Sequence, residues 1–260
     1  MTAIALTIAG SDSGGGAGIQ ADLKTFAEFG VYGASVITAV TAQNTFGVRA
    51  IHPIPPDIIG AQIDAVLEDI DASAIKIGML GTTGAIEAVA SGLARHRPRP
   101  LVLDPVMIAT TGARLLPEVA MDALVRLLLP KALLVTPNLI EAAALSNQPM
   151  ADDEAGMVRQ AEAILRMGAS AVLVKGGHAA GPESVDLLVR DGSVVRFARP
   201  RIALPDTHGT GCALSSAITA GLANGDKLAE AIEAAKAYVT AAIATALSLH
   251  IGHGAKPLHH

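Results

Sequence analysis

The sequence predicts an α/β fold in which a mostly parallel sheet is covered by helices on both faces. Apolar strand-like runs alternate with helical patterns along all 260 residues, which is the order of βαβ units. The strand-like runs are continuously apolar, as in strands that are buried on both faces. No Pro/Ser-rich linker, repeat or low-complexity tract interrupts the alternation. We therefore predict a single domain over residues 1–260.

The first half of the chain predicts strands and helices in turn. An apolar run predicts a strand over 3–9, and a glycine-rich loop separates it from an amphipathic helix over 17–29. Four more apolar runs predict strands over 34–41, 50–54, 74–77 and 101–103. Pro55-Pro56 opens a helix over 57–70, because proline is favoured in a first helical turn. A further helix is predicted over 82–95.

The second half continues the alternation and then departs from it. Helices are predicted over 118–129 and 152–167, with strands over 132–135 and 171–174. Asp191-Gly192 lies between two strand-like runs, 184–190 and 194–199, and predicts a hairpin. Two long helices, over 211–223 and 227–249, close the chain. The nearly uncharged stretch from Ala237 to Leu249 is shorter than the roughly 20 residues of a membrane span, so it predicts a buried core helix.

Composition points to small-molecule partners. The formal charge is -5, there is no Trp, and only two Tyr are present. A nucleic-acid-binding protein usually shows a basic stripe and stacking aromatic side chains, and neither is visible. Cys212 is the single cysteine, so no internal disulfide can form. That composition and the lack of a visible signal peptide after Met1 predict a cytoplasmic protein without a membrane segment.

Polar residues end six of the predicted strands. They are Gly10-Ser11-Asp12, Thr41 to Asn44, Gly78-Met79, Asp104 to Met107, Thr136-Pro137-Asn138 and Lys175 to His178. Ligands of parallel α/β sheets bind beyond the carboxyl ends of the strands, where these segments would meet. Each segment could also be a simple turn.

The first glycine-rich segment, from Gly10 to Gly18, lacks the Lys-Ser/Thr of a P-loop and the spacing of a dinucleotide fingerprint. Its glycines nevertheless allow a ligand to approach the backbone closely. Asp22 follows on the next helix. It either points back toward a ligand or is an acidic residue favoured near the helix N-terminus.

The second glycine-rich segment, Asp206 to Cys212, carries the sharpest chemical signal. It leads directly into a helix, whose free N–H groups and dipole form an anion site. Such preorganised donors stabilise a phosphoryl group in transfer. Cys212 lies where a helix N-terminus lowers a thiol pKa, so it is a candidate base; the alternative is an inert buried cysteine.

Three further side chains suit phosphoryl transfer. Asp104 and Glu141 are candidate Mg²⁺ ligands, since Mg²⁺ is often held by one or two carboxylates and water. The Asn138-to-Glu141 spacing is also that of a helix capping box, which leaves a purely structural role open for Glu141. Lys175 could pair with ATP phosphates. Near the C-terminus, the spacing of His250, His253, His259 and His260 favours exposed or locally packed rings over a metal site.

Taken together, these motifs resemble a known family over nearly the whole chain. The matching segments are Leu6 to Thr25, Thr41 to Thr45, Lys76 to Leu80, Leu103 to Met107, Thr136 to Ala142, Lys175 to His178, Thr207 to Cys212 and Gly252 to His260. The chain resembles the hydroxymethylpyrimidine/phosphomethylpyrimidine kinases of thiamine biosynthesis, in the ribokinase-like superfamily.

The resemblance implies a three-layer α/β/α sandwich, a homodimer and two ATP- and Mg²⁺-dependent phosphorylations. These convert 4-amino-5-hydroxymethyl-2-methylpyrimidine to its monophosphate and then to its diphosphate. It implies a pyrimidine pocket and an anion hole, with Cys212 as the contestable base. The pocket residues would be Gln43, Gly10, Asp22, Met79 and Val106. Asp104, Glu141 and Lys175 would serve Mg²⁺ and ATP, and Gly209, Thr210 and Gly211 would form the anion hole.

Three other functions are weighed against this one. Pyridoxal kinases of the same superfamily share the Gly-Thr-Gly-Cys turn and act on a similar ring. A dinucleotide-dependent oxidoreductase would need an acidic residue about 20 positions after the glycines of the first segment. The residue considered for that position, Gln43, is not acidic. A metabolite sensor without activity would bind ligands without forming ADP, although Cys212, Asp104 and Lys175 are all present.

Overall fold

A computed structural model describes residues 2–107, 115–177, 181–202, 207–246 and 248–260. Nine strands in these ranges form one sheet. They are β1 (Ile4–Asp12), β2 (Tyr32–Asn44), β3 (Gly47–Pro53), β4 (Ala74–Ile77), β5 (Leu101–Leu103), β6 (Leu134–Val135), β7 (Val172–Lys175), β8 (Glu183–Arg190) and β9 (Ser193–Pro200). Their spatial order is β3-β2-β1-β4-β5-β6-β7-β8-β9.

The centre of this sheet is parallel. Strands β2, β1, β4, β5, β6 and β7 all run in one direction. Strand β3 pairs antiparallel at one edge, and the β8–β9 hairpin pairs antiparallel at the other. The predicted mostly parallel α/β sheet is confirmed, and so is the hairpin around Asp191-Gly192.

Helices cover both faces of the sheet. They are α1 (Gly18–Glu28), α2 (Pro56–Leu67), α3 (Thr83–Ala94), α4 (Glu118–Leu127), α5 (Leu139–Ser146), α6 (Glu154–Leu165), α7 (Thr210–Asn224) and α8 (Leu228–Ala246). Leu101 and Leu103 of β5 face the core formed with α2 to α6, whereas Val102 between them faces the core formed with α7 and α8. Helix α1 packs beside α7 on that second face. The three-layer α/β/α sandwich is confirmed.

Some elements differ from the prediction in ways that matter for the site. Strand β1 runs to Asp12, so Gly10 and Ser11 lie inside it, next to a register shift against β2. Two short strands were not predicted: β10 (Thr207–His208) pairs in parallel with β11 (Lys256–Pro257). Helix α5 was anticipated only through its capping box, and α8 stops before the predicted end at residue 249.

Two predicted positions lie outside the described residues: His178 after β7, and Asp206 at the start of the second glycine-rich segment. Across the ranges that the structure describes, no helix is long and apolar enough to cross a membrane.

Candidate active site

A cavity of about 460 Å³ runs along the carboxyl edge of the sheet, from β2 on one side to β8 on the other. Eleven of the twelve predicted site residues line it: Gly10, Gln43, Met79, Asp104, Val106, Glu141, Lys175, Gly209, Thr210, Gly211 and Cys212. The strand ends therefore meet as the sequence predicts. Met107, the residue after Val106, is buried in the hydrophobic core.

Asp12, at the end of β1, organises the first glycine-rich loop. Its carboxylate accepts hydrogen bonds from the backbone N–H groups of Gly14 (2.8 Å), Gly16 (3.1 Å) and Ala17 (2.8 Å). Burial acts to raise the pKa of Asp12, but the hydrogen bonds from His208 and the loop amides outweigh it and lower the pKa. The ionised side chain thus holds the loop against the cavity.

Gln43 lies on β2 at the cavity wall, and its amide is held by its neighbours. Gln43 Nε2 is 2.7 Å from His208 Nε2, and the Thr41 hydroxyl donates to Gln43 Oε1 at 3.3 Å. The same His208 nitrogen lies 3.2 Å from Asp12 Oδ2. The Gln43 amide, which can donate and accept, is therefore positioned by a side-chain network rather than by solvent.

The turn before α7 has the backbone geometry expected of an anion site. Gly209 caps the helix in the left-handed region, at φ 88°, and a side chain there would collide with the carbonyl oxygen of Gly16. The first intrahelical bond runs from Ala213 N to Gly209 O at 2.9 Å. The N–H groups of Thr210, Gly211 and Cys212 come before it and have no carbonyl partner within the helix, so they are donors for an anion in the cavity.

Asp104 and Lys175 form a buried ion pair beside this turn. Lys175 Nζ donates to Asp104 Oδ1 at 2.9 Å, and the hydroxyl groups of Thr136 and Ser215 donate to the same carboxylate, each at 3.3 Å. Burial acts to raise the pKa of Asp104, yet the charges of Lys175 and Lys76 prevail and lower it. Both members of the pair are therefore charged.

Glu141 belongs both to a helix cap and to the wall of the cavity. Asn138 and Glu141 make the reciprocal bonds of a capping box, at 2.8 and 2.9 Å, at the start of α5. Glu141 also lines the cavity. The pKa of Glu141 is raised to about 7, mainly by burial. The charge of Lys175 acts to lower this pKa, and the charge of Asp104 acts to raise it. Negative charge is therefore concentrated where a cation would relieve it.

The structure corrects the expectation that the pKa of Cys212 is lowered. Cys212 lies in the first turn of α7, is partly exposed, and accepts a hydrogen bond from the backbone N–H of Gly18. Burial of the thiol nevertheless raises its pKa to about 11, and the charges of Asp22 and Asp104 act in the same direction. The opposing effects of Lys76 and the Gly18 amide are smaller, because desolvation of a thiolate costs more than these groups return.

Asp22 does not line the cavity, which corrects the expectation that it faces a ligand. Its carboxylate is fully buried behind the cavity wall and lies 2.8 Å from Lys76 Nζ. The hydroxyl groups of Thr7 and Ser216 also donate to it, at 2.6 and 2.7 Å. Asp22 is thus not a free acidic residue near the helix N-terminus but the partner of a buried lysine.

Sequence reasoning assigned no role to several charged residues of the site. Lys76 lines the cavity although it sits in the otherwise apolar run Ala74–Ile77, and a charge inside a buried strand is a signal that could have revealed it. Lys236 on α8 donates to Asp186 at 2.7 Å and to Ser184 at 3.0 Å. Asp186 in turn accepts from the N–H of Gly176, the first residue after β7, at 3.0 Å.

The two sides of the cavity differ in chemistry. On the β2 side, Gln43 and His208 offer polar atoms next to Met79 and Val106. On the β8 side, Ile202, Val239 and Ile243 add apolar surface beside the Lys236–Asp186 pair. The anion turn and the Asp104–Lys175 pair lie between these sides. The cavity can therefore take two organic groups with phosphate between them.

Comparison with known proteins supports this interpretation. The sequence model of the family described as phosphomethylpyrimidine kinase matches residues 12–259. A hydroxymethylpyrimidine/phosphomethylpyrimidine kinase of Rhizobium meliloti is 58% identical over all of this chain and 97% of that protein. A thiamine biosynthesis bifunctional protein of Geobacter sulfurreducens is 50% identical over 98% of this chain and 51% of that protein.

A solved structure is similar over the same length. The ADP complex of Bacillus subtilis pyridoxal kinase superimposes with a TM-score of 0.92 and 38% identity, covering 100% of this chain and 98% of that one.

Proposed function

The chain belongs to the phosphomethylpyrimidine kinase family, and we propose how its site carries out the phosphorylation. Its activity is that of a hydroxymethylpyrimidine and phosphomethylpyrimidine kinase in thiamine biosynthesis. The first reaction phosphorylates the hydroxymethyl oxygen of the pyrimidine, and the second adds a phosphoryl group to the resulting monophosphate. The observation that carries the proposal is the anion turn Gly209 to Cys212 lying between two chemically different sides of one cavity.

We propose ATP as the donor, bound on the β8 side. Ile202, Val239 and Ile243 supply apolar surface for a base. Lys175 is held by Asp104 at a strand end, where an ammonium can pair with phosphate oxygens. The free N–H groups at the start of α7 receive the transferring phosphoryl group, whose charge they stabilise without moving.

The carboxylates of Asp104 and Glu141 fit Mg²⁺. They are two hard oxygen donors, one directly after β5 and one in the first turn of α5, and the mutual repulsion that helps to raise the Glu141 pKa is what a cation relieves. Within the described ranges no group of three or more His, Cys, Asp and Glu side chains suits a metal. Phosphate oxygens and water would complete the shell, as is usual for Mg²⁺. When bound, the ion neutralises phosphate charge.

The β2 side suits an aminopyrimidine. Gln43 offers a donor and an acceptor in the plane of its amide, and His208 and Thr41 hold that amide in place. Met79 and Val106 provide apolar walls for a flat ring, and Gly10 leaves room beside Met79 Sδ. These contacts orient the hydroxymethyl group toward the turn at Cys212.

Cys212 is proposed as the proton acceptor of the first reaction. With a pKa near 11 the thiol is mostly protonated at neutral pH, so it is not a preformed thiolate base. Phosphoryl transfer has a loose transition state in which the attacking oxygen needs little activation early on. The proton can therefore leave late, when positive charge on the attacking oxygen makes even a weakly ionised acceptor effective.

A coupled assay of ADP formation tests the assignment. Both the alcohol and its monophosphate are expected to yield ADP in an ATP- and Mg²⁺-dependent reaction. Pyridoxal kinase is the second candidate, because of the similar fold of the Bacillus subtilis enzyme. A kcat/KM for pyridoxal well above that for the pyrimidine would favour it. Thermal stabilisation by NAD or NADP but not by ATP-Mg would instead favour a dinucleotide-dependent oxidoreductase.

We also propose a homodimer that forms through the β2–β3 edge, and a cytoplasmic location. Val40, Phe46 and Ile51 expose 44%, 65% and 38% of their surface on this extension of the sheet. Exposed apolar side chains next to an edge strand are typical of an interface. Light scattering after gel filtration should give twice the 26.3 kDa chain mass, and Phe46→Glu should lower it.

A further inference from the structure

A buried lysine behind the turn has no part in the reaction described so far. Lys76, on β4, and Asp22, on α1, both have side chains with no solvent exposure. Lys76 Nζ lies 2.8 Å from both oxygens of Asp22. Replacing a buried ion pair with apolar residues is often neutral or stabilising, so stability alone does not explain such a pair.

The pair is tied to the two helices that meet at Cys212. Ser216 donates to Asp22 Oδ1 at 2.7 Å, and it lies four residues after Cys212, one turn along the same face of α7. Gly18 begins α1, the helix that carries Asp22, and its N–H donates to the sulfur of Cys212. The ion pair and the thiol therefore belong to one rigid junction of α1, α7 and β4.

Lys76 lies closer to the cavity than its partner does. Lys76 lines the cavity together with Cys212, whereas Asp22 does not. Gly78 preserves the space around the ammonium, since a Cβ there would lie 2.8 Å from Lys76 Nζ. The carboxylate of Asp22 also receives hydrogen bonds from Thr7 and Ser216, so much of its charge is engaged away from the thiol.

Four charged groups act on Cys212 from the surrounding elements. Lys76 on β4 and Lys175 on β7 favour the thiolate, while Asp22 on α1 and Asp104 after β5 oppose it. Lys76 has the largest influence among the four on the Cys212 thiol, larger than that of its own partner Asp22. The ion pair is thus neutral overall, but its ammonium favours the Cys212 thiolate while its carboxylate opposes it.

We propose that Lys76 is a positioning residue for the kinase reaction, because its ammonium, fixed by Asp22, stabilises the Cys212 thiolate that takes the proton of the substrate hydroxyl. In that step the hydroxymethyl oxygen bonds to the γ-phosphorus of ATP, and the bond from phosphorus to the β-phosphate oxygen breaks to leave ADP. The proton passes from the oxygen to the thiolate, and the resulting thiol later releases it to solvent. The inference rests on the proposed role of Cys212.

The test measures thiolate formation without any substrate. Cys212 is the only cysteine, so the rate of alkylation by iodoacetamide, followed by intact mass from pH 7 to 11, reports on this thiol alone. Lys76→Met should slow alkylation at pH 8 about tenfold and move the rate–pH profile upward, a factor of ten being one pKa unit. Asp22→Asn should move the profile downward, because the charge of Lys76 is then less opposed.

A matched buried pair serves as the control. Lys236 and Asp186 are also nearly buried, with side chains 7% and 4% exposed, and are 2.7 Å apart. Lys236→Met should leave the Cys212 profile where it is in the unchanged protein. If Lys76→Met does not fold, the Lys76→Met/Asp22→Asn double variant, which leaves no unpaired charge, should show the same upward shift, only smaller.

Two results overturn the proposal. One is a rate–pH profile of alkylation for Lys76→Met that coincides with the profile of the unchanged protein. If Lys76→Met does not fold, the profile of the double variant is compared in its place. The other is a shift of Lys76→Met and Asp22→Asn in the same direction, which would mean that general loosening of the junction governs reactivity. In turnover, Lys76→Met should lower kcat for the alcohol with little change in KM. If Cys212→Ala keeps full turnover while Lys76→Met and Asp22→Asn still shift the alkylation of Cys212, then Cys212 is not the base, but Lys76 does stabilise its thiolate.

Discussion

Substituting Cys212 with alanine should separate the two reactions of this kinase. In the first reaction the acceptor is an alcohol, which must lose a proton. In the second it is a phosphate, whose second pKa near 6 leaves it ionised at pH 8. A base in the site therefore matters for the first reaction and not for the second. The substitution tests Cys212 within one enzyme, with the second reaction as the internal reference.

The size of the effect follows from the thiol's environment. A pKa of about 11 leaves roughly one thiol in 1,000 ionised at pH 8. Loss of a general base typically costs 10²- to 10⁴-fold in rate, and a weakly ionised base belongs at the lower end of that range. We therefore expect Cys212→Ala to lower kcat for the alcohol about 100-fold. The kcat for the monophosphate should change by less than about fivefold, since the N–H donors of the turn remain.

The assay is ADP formation at saturating ATP-Mg, with the alcohol and the monophosphate as separate acceptors. Gly211→Ala is the matched control, because a Cβ there would lie 3.2 Å from Lys175 Nζ and disturb phosphate binding in both reactions. It should lower both rates together. An equal loss in both reactions for Cys212→Ala would refute the argument, and so would near-normal turnover of the alcohol.

Three other predictions concern specificity, pH and charge. Gln43→Leu should raise KM for the pyrimidine at least about tenfold with a smaller change in kcat, because one ring contact and the His208 hydrogen bond are lost. Steady-state kinetics measure both constants. An unchanged KM would contradict the proposed pyrimidine pocket. Burial and the charge of Lys24 lower the pKa of His260 to about 4, so its stabilising effect is complete above pH 6.5 and is lost as pH falls toward 4. Between pH 7.5 and 5 the protein should lose on the order of 1 kcal/mol of unfolding free energy that His260→Gln does not lose, because solvent reaches part of the ring and weakens the full effect. Urea titrations measure this loss, and parallel losses in both proteins would contradict it. Asp104→Asn should abolish activity and lower the melting temperature by several degrees, because Lys175 is left charged and buried without its partner, and calorimetry with and without ATP-Mg checks this.

Much of the fold could be predicted because its signals are local. Continuous apolar runs such as that of β1 indicate buried strands, and Asp191-Gly192 indicates a hairpin. The strands β10 and β11 could not be predicted, since each has two residues and they pair across nearly 50 positions of sequence. Their pairing depends on tertiary contacts that no local pattern records.

The candidate site divides in the same way. Residues at strand ends, such as Gln43 and Asp104, could be predicted to meet because parallel topology brings those ends together. The Lys76–Asp22 pair could not, because it joins the middle of a strand to the middle of a helix. The predicted shift of the Cys212 pKa was wrong in direction. The helix N-terminus that lowers a thiol pKa can be recognised in the sequence, whereas the burial that outweighs it cannot.

We propose that the cavity phosphorylates a hydroxymethylpyrimidine and then its monophosphate. The most direct measurement is kcat/KM from ADP formation with the pyrimidine alcohol, its monophosphate and pyridoxal, under identical ATP-Mg conditions. Both pyrimidines should be turned over, and the alcohol should have a higher kcat/KM than pyridoxal. A higher value for pyridoxal, or no ADP with either pyrimidine, would contradict the account.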